Sequence, residues 1–86
     1  MINPNTFNRD ALHDFYYEVV KHPRISAKKY GYTVRDIKLV ANFCFNKYIM
    51  LILREEQHNE SAETYRKICN NIYNRLPKQF KWDDKR

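Results

Sequence analysis

Eighty-six residues can close one hydrophobic core of modest size, which excludes a second domain, and 43% hydrophobic with 15% aromatic side chains exclude a disordered tail. A formal net charge of +6 suits acidic partners, nucleic acid among them. A single glycine and three prolines deny an all-β chain its turns and rule out a glycine-rich phosphate loop, so the expected fold is all-α.

Asn8 is placed to cap a first helix in which Leu12, Phe15, Tyr16, Val19 and Val20 recur at helical spacing as the inward stripe. Asp10, Asp14 and Glu18 mark its solvated side, and it ends near His22 and Pro23. A short helix over Ser26 to Tyr30 is stopped by Gly31, the natural residue for a left-handed position after a helix. Thr33, with Asp36 three residues later, reads as the next N-cap and a capping box in its Asp form.

No breaker then intervenes before Glu55-Glu56-Gln57-His58-Asn59, so the spacing predicts one helix from about Thr33 to Glu56, roughly 36 Å long at 1.5 Å per residue. Its second half, Phe43-Cys44-Phe45 and Ile49 to Leu53, is apolar almost all round and needs cover on several sides, from neighbouring helices or a second copy of the chain. Asn59 or Ser61 caps a last helix with Ala62, Tyr65, Ile68, Cys69, Ile72 and Leu76 on one stripe, ending before Pro77. In the basic, aromatic tail 77–86, Phe80 and Trp82 either dock on the core or stay exposed for a partner. The sum is a small bundle of about four helices, one short and one long, forming a single helical domain over 1–86.

Cys44 and Cys69 each fall in an apolar helical pattern and read as buried free thiols rather than a disulfide. The first ten residues lack a cationic segment followed by an apolar one, so no secretory signal is expected, and a reducing cytoplasm fits both observations. The most apolar stretch, Leu39 to Leu53, holds Asn42, Asn46 and Lys47 and is too short to span a bilayer.

Residues 23–42 carry the most information. Ala27 is small where a second helix would cross the first, and Gly31 follows four residues on. Ile37 and Val40 supply an apolar pair beyond it, with Tyr30 and Tyr32 flanking the turn. In these positions the segment resembles the helix-turn-helix motif of bacterial and phage repressors, whose crossing requires close contact, a positive φ at the turn and an inward apolar pair. The resemblance implies that Thr33, Arg35, Lys38 and Asn42 face base edges or phosphates of double-stranded DNA, while Arg24, Lys28 and Lys29 dock on the backbone. Arginine reads guanine and asparagine adenine in bidentate fashion. Val34 and Leu39 fall on the same groove-facing side.

Charge is segregated in the same sense. Segment 21–38 holds Lys21, Arg24, Lys28, Lys29, Arg35 and Lys38 against Asp36 alone, a net +5; segment 66–81 holds Arg66, Lys67, Arg75, Lys78 and Lys81 with no acid, again +5. Clustered cations are what phosphate contact requires, although they also serve as a solubilising surface.

Catalytic and metal constellations are weak. His13 with Asp10 and Asp14 lies on one helix beside no nucleophile. His22, His58, Cys44 and Cys69 show neither a Cys-x-x-Cys pair nor histidines one helical turn apart, so no metal, cofactor or enzymatic role is expected. Tyr17, Tyr73, Phe80 and Trp82 remain as stacking candidates for single-stranded nucleic acid. The first expectation is a non-enzymatic DNA-binding regulator, with brevity and richness in Asn, Lys, Ile and Tyr suggesting a phage or mobile element. The alternative is a regulator that binds an acidic or apolar protein surface through Leu39, Phe80 and Trp82. Small phage proteins act in this way when they block a host enzyme or delay lysis as cytoplasmic antiholins. Dimerisation through Phe43, Phe45, Met50 and Leu51 accompanies either.

Overall fold

The computed structural model describes residues 2–82, and these form an all-α bundle of four helices without a strand. Helix α1 spans Arg9–Lys21, α2 Pro23–Tyr30, α3 Val34–Glu55 and α4 Asn59–Arg75, with one turn of 3-10 helix at each end, Pro4–Thr6 and Lys78–Phe80. The long α3 runs through the middle, packed by α1 on one side and α4 on the other, with α2 set against its first turns.

The helix starts follow local chemistry. Asn8 accepts the Ala11 amide through Oδ1 at 2.8 Å, satisfying one of the free donors that open α1. Pro23 stands in the first turn of α2, so this helix begins earlier than Ser26; proline's missing N–H costs nothing there. Thr33 caps α3, its Oγ1 accepting the Asp36 amide at 3.1 Å and donating to Asp36 Oδ2 at 2.8 Å. At α4 neither Asn59 nor Ser61 is the cap: the helix opens at Asn59 after His58, with no side-chain cap.

Two left-handed residues close α2 and α3. Gly31 has φ 78°, and the Tyr32 amide reaches back to the Ala27 carbonyl at 2.8 Å. At the end of α3 the same job falls to Gln57, at φ 63°, followed by the His58 amide on the Leu53 carbonyl at 2.8 Å. A side chain bearing Cβ is strained in this region by roughly 1–2 kcal/mol.

The core centres on the α1–α3 seam, where Leu12, Val19, Ile37, Val40 and Cys44 are fully buried. Phe15, Ala27, Ala41, Phe43, Cys69, Ile72 and Leu76 extend it. Val20 does not join: α1 turns its Leu12-Phe15-Val19 stripe inward, and Val20, one residue further round, is 57% exposed. Ile68 is likewise exposed on the outer flank of α4, and Ile49 is only half-buried. Both cysteines are free and buried, and burial pushes the Cys44 thiol well up. No helix among the described residues is long and apolar enough to cross a membrane.

The tail past α4 docks. Phe80 stacks on Tyr32 with ring centroids 4.4 Å apart, and Trp82 sits edge-on to both Phe43 and Tyr73 at 4.8 and 4.9 Å. The Tyr73 hydroxyl donates to the Trp82 carbonyl. Residues 83–86 of the basic tail lie outside the described residues.

Candidate nucleic-acid interface

The α2–turn–α3 corner buries the apolar positions that define the motif, leaves Ile25 and Val34 exposed, and presents its cations. Ser26, Ala27, Tyr32, Ile37 and Val40 are all buried, and Tyr30 is half-buried. Arg24, Lys28, Lys29, Thr33, Arg35, Lys38 and Asn42 are all exposed. On α3, Arg35, Lys38 and Asn42 follow at i, i+3 and i+7, which places them on one face of about two turns.

These side chains are not equally available. Lys29 Nζ donates to Glu18 Oε2 at 3.0 Å, while the Tyr30 hydroxyl donates to Glu18 Oε1 at 2.8 Å, so a carboxylate of α1 ties down the end of α2. The Lys29 hydrogen bond holds the Glu18 carboxyl below its usual range against the effect of partial burial, helped by the Tyr30 bond. The same contacts raise Lys29, and burial first, then Glu18, raises Tyr30. The Thr33 hydroxyl is spent on Asp36. Arg24, Lys28, Arg35 and Lys38 have no carboxylate partner among the described residues. Asp36, the one acid of segment 21–38, is buried beneath them, its Oδ1 without a hydrogen-bond partner among the described residues. The accessible charge of the corner is therefore cationic.

Leu39 is a correction. It is 7% exposed, so the groove-facing side of α3 is narrower than the helix-turn-helix resemblance implies. Leu39 lies one turn before Phe43, which Trp82 covers, so the α4 and tail side of α3 claims it for the core. Trp82 at 4% and the half-buried, stacked Phe80 are likewise core residues. The partner-binding face expected of Leu39, Phe80 and Trp82 therefore does not exist as an exposed surface, and Tyr73 is engaged with Trp82 rather than offered for stacking. Phe43 and Met50 are also buried, which leaves Phe45 and Leu51, half-buried, of the expected dimer seam.

Sequence periodicity turned Val20 inward and gave Ile25 no place, whereas the stacking candidate Tyr17 and the groove-facing Val34 are exposed as the sequence suggests. Tyr17, Val20 and Ile25 are 52%, 57% and 67% exposed, and Val34 stands out at the start of α3. Lys21 and Arg24 lie among them. The signal was present in α1, where six apolar or aromatic side chains in the nine residues from Leu12 to Val20 exceed what one buried stripe of a short helix holds.

Two cations of the second basic block are engaged, while Lys67, Arg75 and Lys78 are exposed. Arg66 is bound to Glu63 through Nε at 2.8 and 2.9 Å, and Lys81 Nζ lies over the Tyr73 ring, 5.5 Å from its centroid. No group of three His, Cys, Asp or Glu side chains among the described residues is arranged to hold a metal ion. An open cavity of about 620 Å³, lined by Ile2, Asn3, Thr6, Phe7, Lys29 and Tyr30, brings no nucleophile beside a base. No family model, no characterised protein and no solved structure matches this chain.

Proposed function

We propose that this chain is a small non-enzymatic regulator, of the kind phages and mobile elements encode, that binds double-stranded DNA through α2, the Gly31 turn and the first half of α3. One observation carries the reading: Arg24, Lys28, Arg35 and Lys38 are exposed and unpaired by any described carboxylate, beside Asn42, while the only acid of the block is buried. Arg24 and Lys28 supply phosphate contacts at the flank, and Arg35, Lys38 and Asn42 supply the groove-facing row. Lys29 and Thr33, held by Glu18 and Asp36, position the two helices instead of reaching out. Titrating labelled random duplex at two salt concentrations tests this. Binding that weakens steeply with salt is expected; no binding at low salt overturns it.

A second reading, a regulator that acts on another protein, is favoured by the exposed Tyr17, Val20 and Ile25. Large apolar side chains clustered in sequence at a surface are an ordinary mark of protein contact, and phosphate gives them nothing. Substituting these three residues separates the readings, because DNA binding does not use them.

A further inference from the structure

Helix α3 runs without a break from Val34 to Glu55, and the Glu56 amide still bonds the Ile52 carbonyl at 3.0 Å, so helical spacing holds along its whole length. Lys38, Asn42, Phe45, Ile49, Ile52 and Glu56 follow at alternating steps of four and three, which places them on one face. Lys38, Asn42 and Glu56 are exposed, and Phe45, Ile49 and Ile52 between them are only half-buried.

The rest of the chain takes other sides of α3. Helix α1 reaches it at Tyr48 and Glu55, through His13 and Arg9, and α4 at Phe43, whose carbonyl accepts from Cys69 Sγ. The N-terminal turn meets Lys47, whose Nζ lies 2.6 Å from Asn5 Oδ1. Lys47 stands two residues before Ile49, hence on the opposite side of the helix. At the edge of the stripe Tyr16 stacks on Phe45 at 4.4 Å and widens its apolar part towards α1.

The two ends of the stripe carry opposite charge. Lys38 and Glu56 have no ion-pair partner among the described residues, and they stand roughly 27 Å apart at helical rise. A two-fold axis beside α3, midway between them, turns a second copy antiparallel. It brings Lys38 against Glu56 of that copy, Asn42 against Ile52 and Phe45 against Ile49. Each contact occurs twice, as an isologous interface requires. The apolar layers fall in the middle and the charged pairs close both ends, whereas parallel pairing sets like charges together at each end. A polar residue such as Asn42 within a helix seam costs stability and fixes register.

We propose that α3 pairs antiparallel with α3 of a second copy of this chain through this stripe. The inference goes beyond the DNA reading and does not rest on it. Pairing covers Lys38 and Asn42 of the groove-facing row and leaves Arg24 and Lys28 of α2 outside, so pairing and groove reading exclude each other.

Sedimentation of the full chain without nucleic acid tests this. The chain should dimerise at high micromolar concentration. Lys38→Glu or Glu56→Lys alone turns two attractive contacts into two repulsive ones and should weaken pairing by about tenfold. Combining both substitutions in one chain should restore it, and so should mixing the two single variants in equal amounts. Ile49→Asp, in the apolar middle, should abolish pairing, with unchanged circular dichroism confirming the fold; the charge variants, at exposed positions, keep the test decisive if it does not fold. A chain that stays monomeric at that concentration overturns the proposal and leaves the stripe to another protein or a lipid surface. So does association that survives Ile49→Asp in a folded variant, or that the combined charge exchange fails to restore. No duplex is present, so failure here and failure of the DNA reading are read separately.

Discussion

Phe80 lies against Tyr32, ring on ring at 4.4 Å and 24° between planes, while the Ile2 amide donates to the Tyr32 hydroxyl at 3.2 Å. Both ends of the described chain thus close on the residue that follows Gly31. The tail is in this sense part of the α2–α3 corner, although it stands almost fifty residues away in sequence. Trp82 repeats the arrangement one step on, against Phe43 of α3 and Tyr73 of α4.

Trp82→Ala should therefore destabilise the whole bundle, by roughly 3–5 kcal/mol as for other buried aromatics. Phe80, half-buried, should cost less. Urea unfolding followed by circular dichroism measures both. If removal of residues 78–86 leaves the midpoint unchanged, the docked tail is not a structural member.

The two left-handed turns respond oppositely to substitution. Gly31→Ala adds a Cβ with open space around it, so only backbone strain acts, and the expected loss is about 1 kcal/mol. Gln57→Gly removes the same strain at the end of α3, and stability should rise by up to about 1 kcal/mol after the entropy of the unfolded glycine is offset. Thermal melts of the pair should move in opposite directions; movement in the same direction contradicts the assignment of strain to φ at Gln57.

Glu18 makes the α1–α2 junction sensitive to acid. Its folded-state carboxyl is held below the usual value of 4.5, first by the Lys29 hydrogen bond, so the stabilisation is present above that value and is lost as pH falls through the lower folded one. Stability should fall between neutral and acidic pH, and Glu18→Gln should flatten the part of that fall below pH 4.5. Denaturant midpoints across the acid range provide the measurement. An identical slope in parent and variant dismisses the contact.

Most of the fold was legible because helices announce themselves at short range. The caps at Asn8 and Thr33, the stop at Gly31 and the apolar spacing of Leu12, Phe15, Val19, Ile37 and Val40 are all local signals, and the structure follows them. What failed was long-range. Whether Val20 or Tyr16 completes the α1 stripe depends on where α3 lies, and whether Leu39 faces a groove or the core depends on a tail that ends beyond residue 80. Trp82 had no periodicity to reveal its burial. The exposed cations of the candidate site were legible as charge, but their pairing was not, since the Lys29–Glu18 contact joins residues on two helices.

The DNA reading makes its sharpest prediction through salt. Each lysine that neutralises a phosphate releases condensed counterions, so the logarithm of affinity should fall with the logarithm of salt by about 0.9 per phosphate engaged. Lys28→Ala, on α2, should weaken all duplexes alike and reduce that slope by about one. Arg35→Ala should instead relax preference at one base position, and Asn42→Ala at another, because Arg35 and Asn42 stand on the same face of α3, two turns apart. Lys29→Ala provides the internal comparison. Its ammonium is already engaged by Glu18, so its effect on the salt slope should be smaller than that of Lys28→Ala. Anisotropy titrations over a range of potassium chloride concentrations measure all four variants. If Lys28→Ala and Arg35→Ala bind duplex as the parent does, this corner is a solvated basic surface and the ligand must be sought at Tyr17, Val20 and Ile25.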